Sequence, residues 1–85
     1  MTDTQLNVII AVANTGSVAK AAQKLCMNRS TVTRNIKSTE DEFGIALFSG
    51  RGDRITLTDD AHALFPLLVR LNSAYSEMTD LAKKL

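Results

Sequence analysis

The chain has 85 residues, ten of them basic and nine acidic, for a formal charge of +1. That length holds one small domain with a modest core and no separate ligand-binding domain. The single cysteine, Cys26, excludes an internal disulfide and a cysteine-based zinc site, and no apolar run approaches the roughly 18 residues of a membrane span. Met1-Thr2-Asp3-Thr4-Gln5 lacks a basic segment followed by an apolar one, so a cytoplasmic protein is expected.

A first helix is predicted from about Thr4 to Thr15, capped by Thr2 or Asp3, with Leu6, Ile9, Ile10 and Ala13 on one face and Gly16 as its end. Ser17 caps a second helix in which Val18, Ala21, Ala22 and Leu25 fall at i, i+3, i+4 and i+7. Its small Ala21 and Ala22 allow close approach of another helix. A third helix is expected after Asn28, reaching Phe43 with Gly44 as C-terminal cap, and turning Val32, Ile36, Thr39 and Phe43 inward.

The opposite face of that third helix carries Ser30, Thr33, Arg34 and Lys37. Between Ser17 and Lys37 the chain has five basic residues (Lys20, Lys24, Arg29, Arg34, Lys37) and no acidic one, so the positive charge is local even though the whole chain is nearly balanced. Arg29 falls in the first helical turn, where the macrodipole disfavours a cation, and a local rule broken this way suggests a functional position. Asn28 suits an N-cap that accepts from the amides of Ser30 or Thr31; those same amides could instead hold a phosphate. A face of Arg, Lys, Ser and Thr is also what ordinary solvated surface looks like. Two short helices joined by a three- to four-residue turn, however, fit a DNA-reading helix-turn-helix.

After Gly44, Ala46-Leu47-Phe48 and Arg54-Ile55-Thr56-Leu57 read as two strands around the turn-rich Ser49-Gly50-Arg51-Gly52-Asp53. A hairpin in that place is a wing, whose Arg51 and Arg54 could touch phosphates or enter a minor groove, or simply face solvent. Thr58 then caps a long final helix with Asp59 and Asp60 in its first turn and Pro66 as an expected local kink. Along it Ala61, Leu64, Leu68, Leu71, Tyr75, Met78, Ala82 and Leu85 alternate steps of three and four, a heptad seam longer than one small domain can cover. A second copy of the helix is the economical partner, with Leu64, Leu68, Leu71, Tyr75, Met78, Ala82 and Leu85 as the homodimer contact.

Catalytic chemistry finds little support. There is no glycine-rich phosphate loop after a strand and no nucleophile elbow, and the consecutive Glu40, Asp41 and Glu42 are expected to be solvated surface. Cys26 reads as a small, partly buried filler in the turn, and the lone His62 as helix surface; no metal and no cofactor are expected.

Leu6 through Ala13, Thr15-Gly16-Ser17-Val18, Ala21-Ala22-Gln23-Lys24-Leu25, Val32-Thr33-Arg34-Asn35-Ile36, Glu40-Asp41-Glu42-Phe43-Gly44, Leu47-Phe48 and Leu57-Thr58 together resemble the N-terminal domain of LysR-type transcriptional regulators, over nearly the whole chain. The resemblance implies a mainly α fold: a winged helix-turn-helix of three helices and a two-stranded β wing at 1–58, then a linker helix at 59–85 through which two chains pair. It implies binding to double-stranded promoter DNA at partly palindromic sites, tetramers at full length, and a separate effector domain not contained here, so no small-molecule effector is expected for this chain. The family's base-contacting positions correspond to Arg29, Ser30, Thr33 and Arg34. The family commonly carries Gln-Pro-Ala where this chain has Arg29-Ser30-Thr31, Leu at Thr39, and Arg or Lys at Asp53. The full set of expected DNA contacts is Ser17, Lys20, Arg29, Ser30, Thr31, Thr33, Arg34, Lys37, Arg51 and Arg54. The rival reading is a protein-interaction module that uses the same fold without specific DNA binding.

Overall fold

The computed structural model describes all residues, 1–85. Helix α1 (Asp3–Thr15) opens with a reciprocal capping box, in which the Thr2 hydroxyl accepts from the Gln5 amide and the Gln5 side chain accepts from the Thr2 amide. It ends at Gly16, whose φ of 69° is left-handed and sends its amide back to the Val12 carbonyl. The sequence pattern assigns α1 one apolar face, but the helix is buried on two. Val8, Ala11 and Val12 pack with Ala21, Ala22 and Val32. Leu6 and Ile9 pack with Leu47, Ala61 and Leu68. α1 is therefore the wall between two small clusters, and it supplies five of the 13 buried residues.

Helix α2 (Val18–Leu25) and helix α3 (Arg29–Phe43) lie across the first cluster. The turn between them is a Schellman motif: the Met27 amide donates to the Ala22 carbonyl at 2.8 Å and the Cys26 amide to Gln23 at 3.3 Å. Such a motif needs a left-handed residue, and here that residue is Cys26, at φ 57°. Cys26 is exposed, not the partly buried filler that its place in the turn suggests. α3 turns only Val32 and Thr39 fully inward. Ile36 is half-buried, and Phe43, expected on the same face, is exposed. Thr39 tolerates burial because its hydroxyl donates to the Asn35 carbonyl one turn earlier, at 2.9 Å.

The wing is an antiparallel pair of strands, β1 (Phe48–Arg51) and β2 (Arg54–Leu57), in the register Phe48 with Leu57 and Arg51 with Arg54. Gly52-Asp53 forms the two-residue turn, with Gly52 left-handed at φ 60° as a II′ hairpin requires. β1 starts later than the apolar run predicts, because Ala46 and Leu47 serve as an anchor. The Leu47 side chain is fully buried, and its amide donates to Glu40 Oε2 at 2.7 Å instead of to a ladder partner. The hairpin is tied down by a bond from the Ile55 amide to the Gly16 carbonyl, 3.0 Å.

Helix α4 (Asp59–Lys84) is capped by the Thr58 hydroxyl, which accepts from the Ala61 amide and donates to the Ala46 carbonyl. It runs through Pro66 as one helix of 26 residues. The seam predicted along it divides in two. Ala61 and Leu68 are core residues and Leu64 is half-buried, so Leu68 is not available to a partner chain as the heptad pattern suggested. Away from that side of the helix the apolar side chains are uncovered: Leu67, Leu71, Met78 and Leu81 are each more than half exposed, and Tyr75 is 40 % exposed.

Candidate nucleic-acid interface

The Schellman turn sets α3 at an angle to α2 such that its polar side faces out. Arg29, Ser30, Thr33, Arg34 and Lys37 are all exposed on α3, Thr31 is partly exposed, and Lys20 is exposed on α2. Asn28 occupies the N-cap position of α3 but its side chain makes no cap bond, so the expected capping of Ser30 or Thr31 does not occur. The backbone amides of Arg29, Ser30 and Thr31 have no intramolecular acceptor. This leaves three N–H groups at the positive end of a 15-residue helix, beside the Arg29 guanidinium, able to bind an anion from outside.

Ser17 does not belong to this outward face. It is fully buried, and its hydroxyl is used twice: it accepts from the Lys20 amide at 3.1 Å and donates to Asp53 Oδ1 at 2.7 Å. The contact expected between Ser17 and DNA is replaced by a cap of α2 that also fastens the wing tip. Lys37 is on the outward face but donates to Asp41 at 3.0 Å. That hydrogen bond, together with the carboxylate's charge, raises the Lys37 amine above its usual 10.5, so the side chain stays cationic at any physiological pH.

The three consecutive acids near the C-terminal end of α3 are not uniform solvated surface. Glu40 holds the Leu47 amide, Asp41 holds Lys37, and Glu42 pairs with the α-amino group of Met1 at 3.0 Å. Glu40 is thus a structural part, whereas Asp41 and Glu42 are exposed, as expected of surface acids.

Arg51 and Arg54 are directly opposed across the last pair of the hairpin and both are exposed, so the two guanidiniums lie on one face of the wing tip. Like charges in that arrangement are unfavourable in an isolated hairpin. An external anion between them would relieve the repulsion. Between the wing and α3 runs an open cleft of about 370 Å³, lined by Val18, Ala19, Arg29, Thr33, Gly52, Asp53 and Ile55. No cluster of His, Cys, Asp and Glu with metal-binding geometry is present, and no helix is long and apolar enough to cross a membrane.

A helix pair set by a tight turn, an outward cationic face on the second helix and a basic hairpin beside it define a winged helix-turn-helix DNA-binding domain. Residues 4–62 match the family model described as bacterial regulatory helix-turn-helix protein, lysR family, and the chain belongs to that family. It is 48% identical over 67 residues to a probable nitrogen assimilation transcriptional activator of Synechococcus elongatus, covering 79% of this chain and 21% of the relative. It is 32% identical over 81 residues to the HTH-type transcriptional regulator BenM of Acinetobacter baylyi, covering 94% of this chain and 26% of BenM. The chain therefore spans about a fifth to a quarter of the length of these two regulators. In three dimensions it is similar to the DNA-binding domain of CbnR in a DNA complex, with a TM-score of 0.89, 28% identity and coverage of 99% and 97% of the two chains. The BenM DNA-binding domain on benA site 1 DNA gives 0.88 and 28%, with 99% and 94% covered. These relatives are transcriptional regulators, and none of them supports the protein-interaction reading.

Proposed function

We propose that this domain binds double-stranded promoter DNA sequence-specifically, as a homodimer joined through α4, and that it acts by binding and not by catalysis. The observation that carries the reading is the outward face of α3, where Arg29, Ser30, Thr33 and Arg34 stand beside three amides with no internal acceptor. In this reading Arg34 and Arg29 address base edges or phosphates, since a bidentate arginine to guanine is the commonest specific major-groove contact. Ser30, Thr31 and Thr33 contact bases or phosphates at short range. Lys20, Lys37, Arg51 and Arg54 mainly position the protein on the backbone, with a wing arginine reaching the minor groove. The CbnR and BenM domains, crystallised on DNA, support this use of the fold. Such a role places the protein in the bacterial cytoplasm, and a longer parent would assemble as a tetramer.

The exposed apolar stripe on α4 supports pairing. Leu67, Leu71, Ala74, Met78, Leu81 and Leu85 repeat at steps of four and three along one side of the helix, with Tyr75 at its flank. The pairing surface thus shifts from the predicted set: Leu64, Leu71, Tyr75, Met78, Ala82 and Leu85 remain, Leu67, Ala74 and Leu81 join, and Leu68 leaves. Selection of bound sequences from a pool of random duplexes tests the function directly. Enrichment of a partly palindromic site is expected, with affinity falling by orders of magnitude between about 50 and 200 mM salt. Recovery of no preferred sequence would refute it.

A further inference from the structure

We propose that Asp53, at the tip of the wing, is a built-in brake on DNA binding: its carboxylate stands in the path of a backbone phosphate and lowers affinity for every duplex. The inference rests on the DNA-binding reading above. A duplex that receives α3 in its major groove and the wing in the next groove must pass one backbone strand between them. The cleft between wing and α3 is that passage, and Asp53 is the only anionic side chain lining it, opposite Arg29 and Thr33.

Two features make the carboxylate a fixed charge outside any ion pair. It is held in place by the hydroxyl of Ser17, a neutral donor 36 residues away in sequence and itself fully buried, at 2.7 Å. It takes part in neither of the protein's two ion pairs, although Arg51 and Arg54 flank the turn. A mobile aspartate could swing away from an arriving phosphate or pair with a neighbouring arginine. Asp53 is latched by that bond at the wall of the cleft. A phosphate entering there meets a like charge at short range, where the repulsion is worth a few-fold in affinity and is reduced by salt.

Asp53→Asn separates the two roles of the side chain, because the amide oxygen still accepts from Ser17 while the charge is gone. Fluorescence polarisation with a selected duplex and a random duplex, each at 50 and 200 mM salt, is the test. Asp53→Asn is expected to tighten binding to both duplexes by about three- to tenfold at low salt, with the gain shrinking at the higher salt. Asp53→Glu, which retains the charge, is expected to gain much less. An Asn variant no tighter than the parent at low salt, with thermal unfolding like the parent's, would overturn the inference. So would equal gains by the Asn and Glu variants, which would point to packing instead of charge. A parent that binds neither duplex at low salt would instead sink the DNA-binding reading itself.

Discussion

Replacing Glu40 by alanine is expected to lower the melting temperature by about 6–12 °C. Glu40 Oε2 accepts from the Leu47 amide at 2.7 Å, and Leu47 is a fully buried member of the cluster formed with Leu6, Ile9, Ala61 and Leu68. Removing the carboxylate leaves that amide without its acceptor, and a hydrogen bond to a charged group contributes about 1.5–3 kcal/mol. Glu40 is only partly buried, so water can replace some of the loss and the lower figure, about 1.5 kcal/mol, applies. For a domain of this size each kcal/mol moves the midpoint by roughly 4–8 °C. Glu40→Gln keeps an uncharged acceptor and should fall between parent and alanine variant. Asp41→Asn is the control, since its partner Lys37 is 70% exposed and the pair is screened by solvent. Thermal unfolding followed by circular dichroism on all four proteins decides the matter. If Glu40→Ala and Asp41→Asn melt together, Glu40 behaves as surface and does not anchor Leu47.

Arg34→Ala should lose sequence preference as well as affinity, by roughly 1–3 kcal/mol of discrimination, whereas Lys20→Ala should weaken specific and random duplexes alike in competition binding. Leu71→Asp should give monomers in sedimentation equilibrium without loss of fold, because Leu71 is 51% exposed within one chain; a parent already monomeric at tens of micromolar would refute pairing through α4. Cys26→Gly should raise stability by about 0.5–1 kcal/mol in denaturant titration, since the residue is exposed and held at φ 57°, where glycine carries no steric penalty.

The helix ends were legible because they are written in local chemistry. Thr2, Ser17 and Thr58 accept from amides three residues on, and Gly16 and Gly44 take left-handed conformations, all within one turn of the boundary they mark. The outward cationic face of α3 was legible for the same reason. What periodicity could not supply was the identity of the covering partner. Steps of three and four along α4 describe both the side that meets α1 and the side that meets nothing, so Leu68 and Leu71 looked alike although one is core and the other exposed. Bonds between distant residues left no local trace either. Ser17 with Asp53 and Glu40 with Leu47 are properties of the folded chain, and they turned an expected DNA contact and an expected solvated acid into structural parts. The left-handed turn at Cys26 leaves no mark in the sequence, because a Schellman turn usually carries glycine at that position.

The sparse anchoring of α3 bears on how such a domain can change. Only Val32 and Thr39 of its 15 residues are fully buried, while α1, which presents none of the proposed contacts, supplies five. Replacements at exposed positions such as Arg29, Ser30, Thr33 and Arg34 therefore cost little folding free energy, typically within about 0.5 kcal/mol. With the proposed contacts on α3, mutational drift in α1 is expected to be restrained by stability and drift along the outer side of α3 by the DNA site. Duplicated copies of this gene could thus diverge toward new operators through single substitutions, with no compensating change in the core.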